Sequence, residues 1–191
     1  MHSSKLPADI QRRAHNKLLT LYACTALDTL RIPPSNHLEA LKGNRTGQHS
    51  IRINKQWRIC FRWQNGNTHD VDGAQRRWRS KSQITTKIHS TMTLNKLYEI
   101  APPGRILREE FLEDSGITQT ALAKALGLTQ PRLNELLQGR RRLTADDALR
   151  LSRFFGTDAQ FWMNLQSAYD LLTAERVIGK QIEREVMPMA S

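Results

Sequence analysis

The side chains best suited to chemistry in this chain lie close together, between Thr118 and Arg142, in the run TQTALAKALGLTQPRLNELLQGRRR. Gln130, Arg132, Asn134, Glu135 and Gln138 come first, and Arg140, Arg141 and Arg142 follow at once. The chemistry they offer is recognition. Gln and Asn pair bidentately with adenine, and Arg with guanine. Arginines just beyond them are placed to neutralise phosphates.

Two short helices have to present these groups. Thr118 suits an N-cap, and Ala121, Leu122, Ala125 and Leu126 form an apolar stripe on a helix over 118–126. Gly127 suits a left-handed C-cap. Thr129 caps a second helix, and Pro131 sits in its first turn, where a missing N–H costs nothing. Leu133, Leu136 and Leu137 share its inner face. That leaves Pro131, Glu135 and Gln138 outward, with Gln130, Arg132 and Asn134 on the flanks, until Gly139 closes the helix. Two readings stand at this point: a helix-turn-helix whose second helix enters the major groove, and a plain helical hairpin. Spacing favours neither; the polar residues favour the first.

Charge is distributed unevenly over the 191 residues. The formal net is +11; residues 1–91 hold 16 Lys and Arg against 5 Asp and Glu, and residues 92–191 hold 13 against 13. The six histidines, His2, His15, His37, His49, His69 and His89, also fall in the first part. Such asymmetry implies two units with different partners. A basic half points to nucleic acid, with an anionic membrane surface or an acidic protein as the alternatives. No run approaches a membrane-spanning length and no secretory leader is evident, so a cytoplasmic protein is expected. Cys24 and Cys60 lack CxxC spacing and read as reduced packing residues. No Cys/His cluster has zinc spacing and no phosphate loop is present, so neither metal nor cofactor is expected.

In the first half, residues 7–30 read as a helix. Ile10, Ala14, Leu18 and Leu21 fall at helical spacing, with Arg12, Arg13 and Lys17 on or near the other side, a solvated face in most proteins. A turn follows at 32–36, a short segment at 38–41 and another turn at 42–47. His49 to Asn54 and Trp57 to Trp63 both alternate and read as an antiparallel hairpin. Trp57, Ile59, Phe61 and Trp63 form its apolar face and Arg58, Cys60 and Arg62 the other, basic one. Asn65-Gly66-Asn67 is a turn signal, and Thr68 to Val71 starts the next strand.

The stretch LEALKGNRTGQHSIRINKQWRICFRWQNGNTHDV, ending at Val71, resembles the core of the HigB toxins. These are small ribonucleases of the RelE-like superfamily that cleave messenger RNA on the ribosome. The resemblance covers about Lys5 to Val71 and implies an α+β unit, a helix plus an antiparallel hairpin. It places Lys42, Arg52 and Arg58 where an RNA phosphate would be gripped; an ordinary solvated strand face is the other reading. The family also has an opening strand and a closing acidic strand that ends Asp-Tyr-His, whose Tyr-His pair is implicated in catalysis. Here neither is evident, and residues 72–91 read DGAQRRWRSKSQITTKIHST. His37 is two residues away from Glu39, where some relatives carry a catalytic His. Attack by a 2′-hydroxyl needs a positioned base and acid, and none is in place. No catalytic residue is therefore assigned. A ribosome-dependent mRNA endoribonuclease is the alternative, and it would need His69 or the basic segment as a replacement.

Residues 72–91 carry five basic residues, Arg76, Arg77, Arg79, Lys81 and Lys87, against Asp72 alone, and read as a linker. Resemblance stops at Val71 and resumes at Met92, as a frameshift near the end of a toxin gene would leave it. The stretch PPGRILREEFLEDSGITQTALAKALGLTQPRLNELLQGRRRLTADDALRLSRFFGTDAQFWMNLQSAYDL then resembles HigA antitoxins of the lambda-repressor-like (XRE) helix-turn-helix family. It implies an all-α domain over 92–175, with helices at about 104–114, 118–126, 129–138, 145–155 and 158–173, and a tail at 176–191. Ile106, Leu107 and Phe111 would face inward, as would Leu149, Leu151, Phe154 and Phe155 behind the Thr144 cap. Phe161, Trp162, Leu165, Tyr169 and Leu172 form a stripe that is core and in part a dimer interface. By position, Gln119 would hold a phosphate and Gln130 would read a base. Thr129, Arg132, Asn134, Glu135 and Gln138 line the same helix, and Arg140 and Arg141 would hold the backbone. The resemblance implies a homodimer on an inverted-repeat operator, repressing its own toxin–antitoxin operon, with a HigB-type toxin as a further partner and the fused toxin remnant inactive.

Overall fold

The computed structural model describes residues 8–75, 86–87, 101–113 and 115–189. The first half is α+β. Helix α1 (Ala8–Ala23) packs on a sheet of β1 (Glu39–Ala40), β2 (Gln48–Arg52), β3 (Trp57–Gln64), β4 (Asn67–Gln75) and β5 (Thr86–Lys87), antiparallel throughout and in that order. Ile51 pairs with Ile59, and both are fully buried with Phe61 in a core shared with Leu18, Leu21 and Leu30. Asn65 and Gly66 make the β3–β4 turn with φ of 51° and 76°, the left-handed pair that matches strand twist. A bulge sets Asp70 and Val71 opposite Phe61, with Asp70 at φ 48°.

Three expectations for this half change. The helix stops at Ala23 rather than near 30, and a 3-10 turn follows at Leu27–Arg31. The Ala23 carbonyl accepts from Asn164 Nδ2 at 3.0 Å, and the Thr25 hydroxyl donates to Asp158 at 2.9 Å, so packing with the second half ends the helix. The closing strand is not lost at Val71: β4 continues to Gln75, and β5 pairs Lys87 with Asp72. Backbone pairing does not need the family's side chains there. Finally, Lys17 is not on a solvated face, because the second half covers it. The rest of the expected linker, 76–85 and 88–91, and the expected site of a first strand lie outside the described residues.

The second half is helical. It comprises α2 (Pro103–Ile106), which runs into a π-helical turn at Leu107–Leu112, then α3 (Gln119–Leu126), α4 (Gln130–Leu137), α5 (Ala145–Phe155) and α6 (Ala159–Glu185). Thr118, Thr129, Thr144 and Asp158 cap the last four through their side-chain oxygens. The core gathers Ile106, Leu107, Leu122, Leu133, Leu136 and Leu151 around an aromatic cluster, in which Phe111 lies 4.9 Å from Trp162 and 5.1 Å from Phe155. Trp162 Nε1 is satisfied by the Thr157 hydroxyl at 2.7 Å. Gly104 lets α2 meet α4: a Cβ there would sit 1.6 Å from the Leu136 carbonyl oxygen.

The inner stripe of α3 is Leu122, Ala123 and Leu126; Ala121 and Ala125 face out, one helical step from the expected phase. Leu149 is 64% exposed and Phe154 37%; Ala148 and Leu151 take the inner face of α5 instead. The 176–191 segment is helical to Glu185. It has no proline before residue 188 to break the helix, and a Gln181–Glu185 side-chain bond of 2.8 Å spans one turn.

Candidate nucleic-acid interface

The interface is built on α3 and α4. Thr118 Oγ1 accepts from Ala121 N at 3.2 Å, and Thr129 Oγ1 accepts from Arg132 N at 3.4 Å. Gly127 turns the chain between the helices at φ 63°. With Leu133, Leu136 and Leu137 buried, the opposite face of α4 carries Gln130, Pro131, Glu135 and Gln138, all exposed, and Asn134, half-buried. Gln130 Nε2 donates to Thr120 Oγ1 at 2.9 Å, tying the first turn of α4 to that of α3. Gln138 Nε2 donates to Asn134 Oδ1 at 3.0 Å along the exposed face. Gln119 is exposed at the start of α3 and Arg140 just past α4; Arg140 makes no ion pair among the described residues.

Arg132 and Arg141, expected to face DNA, instead turn to one buried carboxylate. Arg141 binds Asp147 through two nitrogens at 2.7 and 3.0 Å, and Arg132 Nη2 reaches it at 3.2 Å. Asp147 also accepts from the Thr144 N–H at 2.9 Å, closing a capping box. Burial alone would raise this carboxyl, but the Arg141 and Thr144 hydrogen bonds hold it down to about 2. The same hydrogen bond raises the Arg141 pKa. Arg142 pairs with Asp170 at 2.5 Å. Arg141 thus braces the loop after α4, and the cation that loop leaves without an ion pair among the described residues is Arg140.

Two residues at this site escaped the sequence reading. Thr120 orients Gln130, and a ten-residue separation across a turn gives no periodic signal. Asp147 holds both arginines; the Thr144-x-x-Asp147 box was legible as a helix start, but not as an arginine anchor.

The sheet places the other candidates apart. Lys42 is exposed ahead of a 3-10 turn, and Arg52 is half-buried at the end of β2. Arg58 is committed to its own sheet: it donates to Ser50 Oγ at 2.8 Å and to the His37 carbonyl at 2.5 Å, and pairs with Glu39 at 3.4 Å. The basic face is further neutralised by Arg45–Asp72 at 3.1 Å and Arg62–Asp70 at 3.3 Å. His37 and His69 are exposed. Burial pushes the Cys24 thiol up to about 12; burial and the nearby Asp72 carboxylate push Cys60 to about 11. Among the described residues no helix is long and apolar enough to cross a membrane.

Comparison with known proteins agrees with this division. Residues 1–73 match the family model of the RelE-like toxin of type II toxin-antitoxin system HigB, and residues 109–162 match a helix-turn-helix family. Virulence-associated protein I of Dichelobacter nodosus is 49% identical over 89 residues, 47% of this chain and 81% of that protein. Toxin HigB-1 of Vibrio cholerae is 46% identical over 61 residues, 32% of this chain, and Antitoxin HigA-1 of the same organism is 43% identical over 68, 36% of this chain. The chain spans 64% of the length of each of these two. The chain therefore belongs, through its second half, to the HigA-type helix-turn-helix family, and carries a HigB-like toxin region in its first.

Proposed function

We propose that this protein is a sequence-specific DNA-binding regulator that lays α4 in the major groove of its own operator. The observation that carries the reading is the exposed amide face of α4, whose leading side chain, Gln130, is already oriented by Thr120. An amide fixed before binding loses less entropy when it pairs with a base. Gln130 and Asn134 read bases, Glu135 and Gln138 extend the contact, and Gln119 and Arg140 meet phosphates on either side. Thr129, Arg132 and Arg141 act by holding the two helices and the following loop.

A single α4 reads few base pairs, so specificity calls for a dimer on an inverted repeat. Phe161, Trp162 and Leu165 are spent on the core. The apolar residues left for a second copy lie further along α6, where Leu171, Ile178 and Ile182 are exposed at helical spacing. In the genetic setting of HigA and HigB, such a dimer represses its own operon. The fused toxin region acts as a bound, inactive remnant, since Arg58 is tied up in its own sheet.

Footprinting of the full chain on DNA upstream of its own gene tests the proposal. Protection of a two-fold symmetric site, lost in Gln130→Ala, is the expected result. Equal affinity for that DNA and for random duplex would remove it.

A further inference from the structure

Neighbouring residues of α1 meet neighbouring residues of the π-helical turn. Asn16 Nδ2 donates to Glu109 Oε2 at 2.6 Å, and the Lys17 ammonium pairs with the Glu110 carboxylate. The side chains of Lys17 and Glu110 are only 3% and 5% exposed. Lys17 also donates to Ser35 Oγ at 2.7 Å and Asn36 Oδ1 at 2.5 Å, so each ammonium hydrogen has an acceptor. Ser35 Oγ in turn donates to Glu110 at 3.2 Å. The HigB-like region thus builds two sides of a cage for its own lysine, and the helical half supplies the third.

We propose that Glu109 and Glu110 form a receptor on the helix-turn-helix half for the α1 face of the HigB-like region, with Lys17 the residue it selects. The chain's own HigB-like region fills this receptor in cis. A buried ion pair adds little net stability over a well-packed apolar pair, yet either charge alone is strongly destabilising there. Such a pair discriminates between partners more than it strengthens binding. A helix with an apolar or acidic residue in place of Lys17 strands Glu110 away from water; a lysine without Ser35 and Asn36 lacks acceptors. The winding of the receptor is a second, independent sign. Leu107–Leu112 form a π-helical turn, a feature frequent at functional sites. It presents Glu109 and Glu110 to one partner although they are adjacent in sequence. The long segment between Gln75 and Ala101 keeps the local concentration of α1 high at this surface. DNA binding plays no part in the proposal.

Amide hydrogen exchange on the full chain tests it. Glu110→Lys should speed exchange of α1 amides at least tenfold, as should Lys17→Glu. The charge-swapped double variant K17E/E110K should recover part of that protection: Ser35 can donate to the new carboxylate, while Asn36 Oδ1, whose Nδ2 is held by the Leu30 carbonyl, cannot. Glu110→Gln, which keeps size and shape, guards against global unfolding: α1 exchange should rise severalfold while α3–α5 amides stay unchanged. Unchanged α1 protection in Glu110→Gln, or a double variant no better protected than the worse single one, would overturn the selection by charge. Protection that falls on dilution would overturn docking in cis, in favour of exchange between two copies.

Discussion

Replacing Asp147 by Asn keeps the shape of the side chain and removes its charge. Arg141 and Arg132 would then face a neutral amide inside the structure, since Asp147 is fully buried. The carboxyl sits at about 2 instead of an ordinary 3.8, which corresponds to ~2.5 kcal/mol of stability at neutral pH. Its pKa is lowered on folding, so this contribution is complete above the unfolded value and is lost as pH falls through about 2. The stranded guanidiniums add to the loss, offset in part by exposure of Arg132, and we expect ~2–4 kcal/mol in all. Exchange of α4 and α5 amides measures the local opening free energy. At neutral pH the variant should open more easily by that amount. Towards pH ~2 the gap should close, because the native carboxylate is then protonated too. A gap below ~0.5 kcal/mol at neutral pH, the size of an ordinary surface substitution, would refute the anchoring role. So would a gap that stays constant down to the acid end.

Gln130→Ala should cost roughly 1–3 kcal/mol on the operator and little on random DNA, in paired binding titrations. Thr120→Val, which removes the acceptor for Gln130 and keeps the packing, should lose a smaller part of the same specificity. Arg140→Ala should weaken binding to any duplex and reduce the slope of log affinity against log salt by about 1. Gly104→Ala should unfold the helical half or nearly so. Its methyl group would overlap the Leu136 carbonyl at 1.6 Å, and core overpacking already costs ~1–3 kcal/mol where only side chains must give; a thermal melt followed by helical circular dichroism reads the loss.

The parts of the fold that follow from local rules were legible. Each of the last four helices starts at a Thr or Asp whose oxygen caps it, and Gly127 and Gly156 end α3 and α5 in the left-handed conformation. The hairpin followed from alternation and from Asn65-Gly66. Phase was less legible. In α3 the choice between Ala121/Ala125 and Ala123 rests on alanine, whose small apolar surface says little about which side is inside. In α5 a leucine at 149 and a phenylalanine at 154 read as core, yet a surface can carry such residues singly.

What no local rule could reach was contact between the halves. Lys17 sits on a helix whose apolar stripe leaves it on the wrong side for that core, and a lysine there reads as solvated. It is buried because 93 residues further on a second charge, Glu110, is presented to it by an irregular turn. The same holds for Asn16 with Glu109, and for Thr25 with Asp158. Each of these pairs joins a polar residue that looks superfluous in its own half to one that looks superfluous in the other. A chain of two independently solvated units would have no reason to bury Asn16, Lys17 and Glu110. The first half is therefore better understood as docked on the second half's surface than as a loosely tethered remnant.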